Sequence, residues 1–485
     1  MKKIALIGGG FSSLAAAAYL AKAGHQVSLY EKNETLGGRA RQLKKNGFTF
    51  DMGPSWYWMP DVFESFFNDF GKSVADYYHI EKLDPGYQVY FGPNESLQIS
   101  SSLEKIYETF ESVEKGSGAK LRKFIDKAKK HYNIAIKDLV YRPGVSALEL
   151  VTPTTIKKIR YFISTIKGEV EREFQNPKLR QILQFPVLFL GAKPSQTPAF
   201  YNFMNYADFG LGTWHPDGGM YQIVEGMVAL AKSLGVKMHT NSAVESISVD
   251  HQKRACGVVV NGQSIAADIV LAGADYHHAE TLLPPQHRQY SEAYWQKKVF
   301  APSSLLFYVG LNKKLKNVAH HTLFFDVDFE AHAQAIYDDP KWPEAPLFYA
   351  NFPSITDPKM APKGKEACFI LIPLAPGIDD RESLREHYFK IVIERLESLT
   401  SQKVSNDILF YESFCLNEFV DVYNSYKGNA YGMANTLLQT AFLRPKLKSK
   451  KVENLYFTGQ LTVPGPGVPP ALISGKLVAE LIKKN

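Results

Sequence analysis

The chain has little cysteine, no metal-binding signature, no low-complexity tract and no apolar run long enough to span a bilayer. Its three cysteines, Cys256, Cys368 and Cys415, are scattered and form no CxxC pair. They cannot supply a disulfide framework, so a reducing compartment is expected. The thirteen histidines include two adjacent pairs, but no HExxH spacing occurs and no metal site is expected. The longest apolar stretches, "FPVLFLGA" (Phe185 to Ala192) and "ACFILIPLA" (Ala367 to Ala375), fall well short of the ~18 residues a transmembrane helix needs and read as buried strands. The net charge of +7 comes without a zinc-finger or helix-turn-helix pattern. Nucleic acid is therefore the least expected partner, behind an anionic membrane surface and simple solubility.

What is present is a folded composition: 485 residues, 45% hydrophobic and 22% charged, enough for two or three domains. The opening stretch "IALIGGGFSSLAAAAYL" (Ile4 to Leu20) has two incompatible explanations, a signal peptide or the start of a nucleotide-binding fold. A signal peptide needs an unbroken apolar core of roughly 7 to 15 residues, and Gly8, Gly9 and Gly10 interrupt this one early. The alternative requires a strand at Ile4 to Ile7, a glycine turn, a helix from Ser12 to Ala23 and a second strand ending in an acid. "HQVSLYEK" supplies that strand, Gln26 to Tyr30, with Glu31 at its end. In such a turn Gly8 permits the bend and Gly10 lets the backbone approach a pyrophosphate on the helix N-terminus, while Ser13 takes the third, close-packing position. Glu31 suits the hydroxyls of an adenosine ribose and would repel a 2′-phosphate, which argues against NADP.

At the other end, "NLYFTGQLTVPGPGVPPALISGK" repeats this logic, with a strand from Leu455 to Phe457, a turn, and a helix from about Pro469 to Ile482. Proline is tolerated in a first helical turn, and the dipole there favours an electron-rich group.

With "NETLGGRA" (Gly37, Gly38, Arg39) and "FDMGPSW" (Phe50 to Trp56), the N-terminal half resembles the flavin amine-oxidase-type proteins. The C-terminal stretch resembles the signature of bacterial-type phytoene desaturases and related carotenoid desaturases, carried by Gly459, Thr462, Pro464, Gly465, Gly467, Val468, Pro469, Ser474 and Lys476. Gln460 and Leu461, where that family usually has small residues, and Val463, where it often has histidine, are departures. "GTWHPDGGMYQIVEGMVALAKSLGV", "IVLAGAD" and "GNAYGMANTLLQTAFLRP" extend the resemblance along the chain. It implies an α/β architecture: a Rossmann-type FAD-binding domain assembled from residues 1–90, 213–290 and 416–485, with an inserted α+β region. Residues 91–212 would form a helical, membrane-facing lid, and 295–415 a substrate-binding mixed sheet with strands at Ser304 to Leu311 and Ala367 to Leu374. The cofactor contacts implied are Gly8, Gly10, Phe11, Ser12, Ser13, Glu31, Lys32, Gly38 and Arg39 along the dinucleotide. Gly53, Pro54, Ser55, Val244, Gly459, Gln460, Gly467, Val468 and Pro469 complete the set. No catalytic side chain is singled out.

The resemblance further implies FAD-dependent desaturation of a carotenoid hydrocarbon, phytoene first. A late-pathway carotenoid desaturase is the alternative, and a non-catalytic isoprenoid-binding escort a further one. The electron acceptor would be oxygen or a quinone, and the location cytoplasmic, on the inner face of the cell membrane. Independently, "TIKKIRYFISTIKGEV" (Thr155 to Val170) reads as a basic amphipathic helix, either on an anionic membrane or packed as a lid.

Overall fold

The computed structural model describes residues 1–146, 149, 159–436 and 438–484. The chain begins with β1 (Lys3–Ile7), α1 (Phe11–Lys22) and β2 (Gln26–Tyr30), within a residue or two of the strand–turn–helix–strand expected. Much later come α2 (Tyr221–Ser233), β3 (Lys237–His239), β4 (Ile269–Ala272), β5 (Leu455–Phe457) and α3 (Val468–Lys484). The five strands form one sheet in the order β5-β4-β1-β2-β3, every pair parallel. Strands from three separated stretches therefore make a single parallel sheet, with α1, α2 and α3 on one face and the antiparallel strands Val244–Val249, Ala255–Val260 and Gln263–Ala266 on the other.

The two termini are locked together through α1 and α3. A Cβ on Gly475 of α3 would lie 2.4 Å from the Ser12 carbonyl oxygen and 2.7 Å from the Ala15 Cβ, so only glycine allows the helices this close. The run of alanines, Ala15 to Ala18, is fully buried for the same reason. Lys476 reaches out of this contact to Asp69, Nζ to Oδ2 2.5 Å.

Against this layer stands a seven-stranded mixed sheet, in the order Ile408–Phe414, Ser303–Leu311, Glu366–Leu374, Phe348–Asn351, His321–Phe324, Tyr87–Gly92, Glu95–Ile99. Its strand Tyr87–Gly92 runs across residue 90, and Glu95–Ile99 follows it. Ser303–Leu311 is buried at all nine positions. Leu305, Phe307 and Val309 pack with Phe389, Val392 and Leu396 of the helix Glu382–Thr400, while the alternate Leu306 and Tyr308 belong to the main core. A strand covered on both faces needs the unbroken apolar run seen in the sequence.

Two local expectations fail. "FPVLFLGA" is not a strand: Phe185–Leu190 is a 3₁₀ helix continuing directly from the helix Pro177–Gln184. A short apolar run cannot be told from a buried helical turn by periodicity alone. The amphipathic helix of Thr155 to Val170 is also not one helix. Its first residues, 155–158, lie outside the described residues. Beyond them Ile159–Ile163 and Ile166–Glu173 are separate helices, because Thr165 caps the second by accepting a hydrogen bond from the Gly168 N–H. The apolar stripe divides accordingly, with Ile166 fully buried and Ile163 71% exposed. No helix among the described residues is long and apolar enough to cross a membrane.

Candidate active site

The turn between β1 and α1 opens onto a cavity of about 620 Å³ at the carboxyl ends of β1, β2 and β4. That edge is where parallel sheets place their ligands. Gly8 has φ +88°, a conformation side chains avoid, and a Cβ there would press on the Ala274 backbone at 3.1 Å. Gly10 serves the other need: its missing Cβ faces open space, with nothing within 4 Å. It precedes α1 and provides no side-chain cap, so the first N–H groups of the helix are left for a ligand.

Glu31 is buried at the end of β2. Oε2 accepts from the Gly9 N–H at 2.7 Å, and Oε1 accepts from the Asn33 backbone and side-chain N–H groups, both at 2.9 Å. One acid thereby ties the glycine turn to the strand end while bordering the cavity. Lys32 donates to the Asn424 Oδ1 at 3.0 Å.

The Arg39 side chain is partly buried, and among the described residues no carboxylate hydrogen-bonds to it. Its Nη2 donates to the Ser425 hydroxyl and to the Asn429 carbonyl, its Cζ lies 5.4 Å from the Tyr423 ring centroid, and Nε has no partner among the described residues. With its amide turned to present oxygen, Gln460 accepts from the same guanidinium at 3.0 and 3.2 Å. Burial lowers the pKa of Arg39, opposed by the negative charge of Asp275. Asp275, also buried, is pushed up by the same desolvation and held back by Arg39. Its Oδ1 accepts from the His277 N–H at 3.1 Å and its Oδ2 has no partner among the described residues. Burial next to Lys32 takes His278 down to about 4.

Open space at a glycine turn, an uncapped helix start, a ribose-type acid and the opposite charges of Arg39 and Asp275 all face one cavity. These residues fit FAD. Of the eighteen positions expected to contact it, all but Ser13 line the cavity. Ser13 faces the sheet instead, its Oγ 2.0 Å from where a Gly273 Cβ would stand, which suits its close-packing role. Sequence reasoning missed Asp275, Tyr423, Ser425 and Asn429. Only Asp275 had a signal, as an acid just past the carboxyl end of a buried strand.

Beyond Gly53, Pro54 and Ser55 the cavity turns apolar, walled by Trp56, Phe185, Phe325, Leu347 and Leu371. His332 is part of this wall but closed to ligands. Its Nδ1 accepts from the Leu347 N–H and its Nε2 donates to the Pro373 carbonyl, both at 2.9 Å.

Fold and site together define an FAD-dependent oxidoreductase. The architecture is similar to that of a crystallised oxidoreductase from Methanosarcina mazei, with a TM-score of 0.65 at 18% identity over 99% of this chain and 100% of that one. Residues 11–483 match the family of flavin containing amine oxidoreductases. The chain is 41% identical to a carotenoid 3,4-desaturase of Haloarcula japonica, over 99% of this chain and 97% of that protein. It is 31% identical to a zeta-carotene-forming phytoene desaturase of Myxococcus xanthus, over 99% and 93%. The chain thus belongs to the flavin containing amine oxidoreductases and, among them, to the carotenoid desaturase family.

Proposed function

We propose that the chain desaturates a carotenoid, removing a hydride and a proton from neighbouring carbons of a conjugated hydrocarbon. The observation that carries this reading is the continuity of the cavity, polar at the glycine turn and apolar beyond Ser55. FAD, when bound, supplies the hydride acceptor. The remaining work falls to the chain. Gly8, Gly10, Phe11 and Ser12 would admit the pyrophosphate, Glu31 would take the ribose hydroxyls, and Arg39 with Gly38 would hold the diphosphate. Gly467, Val468 and Pro469 bring the positive end of α3 to the cavity, where it would favour a reduced, electron-rich flavin. The apolar wall excludes water and presents no free charge to a substrate, which suits a hydrocarbon and not an amine. Retention of the complete dinucleotide set argues against an escort role.

Phytoene is the first expectation from the sequence, but a late step has the stronger support. The relative at 41% identity is named a 3,4-desaturase, whereas the phytoene desaturase stands at 31%. The test is incubation with FAD and liposomes carrying either phytoene or an already conjugated acyclic carotene. The late-step reading expects a red-shifted product from the conjugated carotene and unchanged phytoene; conversion of phytoene would restore the first reading.

Delivery from a bilayer accompanies this function, because a forty-carbon chain at ~0.8 kcal/mol per CH₂ does not cross water unaided. Val145, Ile163, Leu438 and Leu443 are exposed apolar side chains on neighbouring segments. Gly144 packs on Phe442, Tyr201 bonds to Thr440 at 2.9 Å, and the Ser164 carbonyl accepts from Ala199, which draws these segments together. With Arg160 and Lys446 nearby, we infer that this face rests on an anionic membrane surface.

A further inference from the structure

Making a double bond in a dry cavity sets a proton free, and a hydrocarbon wall offers it no way out. Polar side chains interrupt that wall, and two of them meet. Ser55 and Tyr349 both line the cavity, their hydroxyl oxygens 2.9 Å apart. Behind them the Tyr349 oxygen lies 2.6 Å from Nδ1 of His321, a fully buried ring stacked on Trp56 at 4.1 Å. The strand register explains the meeting: His321 pairs with Asn351, placing Tyr349 diagonally across from it on the same face.

The bonding around His321 fixes its tautomer. Asn351 must present its amide nitrogen on this side, because Nδ2 donates to the His320 carbonyl at 3.1 Å. The same nitrogen faces Nδ1 of His321 at 3.4 Å. Nδ1 is therefore the acceptor, the Tyr349 hydroxyl donates to it, and the proton sits on Nε2, for which no partner is found among the described residues. His320 stands edge-on to this ring, centroids 4.5 Å apart, with Nδ1 3.0 Å from the Thr356 hydroxyl. His320 and Thr356 in turn line a separate surface opening of about 370 Å³ beside Glu81 and Asp84. Buried polar groups are costly. Here they lead from the cavity wall to the surface, with the step between His321 and His320 made by edge-on ring contact and not by a hydrogen bond.

We propose that Tyr349, His321 and His320 form a proton exit from the cavity, a step that rests on the desaturation reading above. One C–H bond gives up its hydrogen with both electrons, as a hydride, to FAD. The neighbouring C–H bond breaks the other way: its electron pair becomes the new π bond and its proton passes to the Tyr349 oxygen. Tyr349 releases its own proton to Nδ1 of His321, and the Nε2 proton moves on through His320 to the surface. Oxygen or a quinone then removes the two electrons from the reduced flavin. Burial holds both histidines well below their ordinary pKa, so neither stores the proton. The titratable groups facing the pair are Tyr349; His215, 4.6 Å from His320 between ring centroids; Asp357, 3.7 Å from His215; and Asp51, within electrostatic reach of His215.

The test is anaerobic rapid mixing of FAD-loaded protein with carotene vesicles and a pH-indicator dye, following flavin bleaching and proton appearance together. In the unaltered protein the two share one rate constant. In Tyr349→Phe and His320→Leu the proton appears about 10²-fold later than the bleaching. Protons that keep pace with the flavin in both variants overturn the exit, whereas absence of bleaching with any carotene in the unaltered protein overturns the desaturation reading instead. A second readout needs neither substrate nor a variant. Nitrogen NMR of histidine-labelled protein at neutral pH should show His321 with its proton on Nε2, and a proton on Nδ1 refutes the relay.

Discussion

The two ends of the cavity are built by different means. At the dinucleotide end backbone dominates: Gly8, Gly10 and the uncapped start of α1 shape the space, and Glu31 holds the turn through backbone N–H groups. At the apolar end side chains dominate, drawn from residues as far apart as Trp56, Phe185, Phe325 and Leu371. Backbone devices have few solutions and leave short signatures in sequence. Walls of side chains have many and leave almost none.

The sharpest way to break this contrast is at the seam that joins the termini. Gly475→Leu forces a side chain into the Ser12 carbonyl and the backbone of Ala16. The neighbours are helix backbone and cannot yield, so the cost should reach about 3 kcal/mol, the upper end for overpacking. Thermal melting of the apoprotein should show it, together with loss of bound flavin. A melting temperature within a degree or two of the original would mean that α1 and α3 do not pack this tightly.

Second in size is the acid at the end of β2. Glu31→Arg removes the acceptor of the Gly9 and Asn33 N–H groups and places a cation in a buried site. FAD affinity should fall about 10²-fold, or about 2.7 kcal/mol. Equal flavin affinity in titrations of the two apoproteins would remove Glu31 from the site.

This same contrast decides what could be read in advance. The strands at Gln26–Tyr30 and Leu455–Phe457 were legible to the residue because a glycine turn, a short apolar run and a following acid or helix fix each other. The strands within 303–311 and 366–374 were legible because burial on both faces demands an unbroken apolar run. Phe185–Leu190 was misread because nothing local separates a buried 3₁₀ turn from a strand. Tyr423, Ser425 and Asn429 were invisible as partners of Arg39, since nearly four hundred residues separate them and only the closed sheet brings them together. Tyr349 and His321 became a pair only through strand register, which no single strand announces.

The third prediction separates the ends by pH. His332 has a pKa lowered to about 4 by burial, and Nδ1 cannot accept from the Leu347 N–H once protonated. A histidine with a depressed folded pKa contributes stability that is complete above the unfolded value near 6.5 and is lost as pH falls toward 4. At pH 5.5 this one group should have withdrawn about 1.4 kcal/mol. Asp51, raised to about 6, acts in the opposite sense, its burial becoming less costly as it protonates over the same range. Denaturant unfolding at pH 7.5 and 5.5 should therefore show a smaller acid loss in His332→Asn than in the original chain. An identical acid loss in both would show that the ring is not the neutral wall described.

The smallest effect concerns the outside. Leu438 is 79% exposed, with Gln439 beside it held by Val299 on both sides of its amide. A side chain this exposed contributes little to folding, so Leu438→Ser should leave stability unchanged within about 0.5 kcal/mol. If the loop enters a lipid interface, partial burial of the leucine contributes about 1 kcal/mol there, and its loss weakens binding roughly 5-fold. Flotation with anionic vesicles measures that change directly, and neutral vesicles separate the apolar contribution from that of Arg160 and Lys446. Unaltered flotation with both kinds of vesicle would move the point of carotene entry away from this face and leave the apolar end of the cavity without its proposed supply.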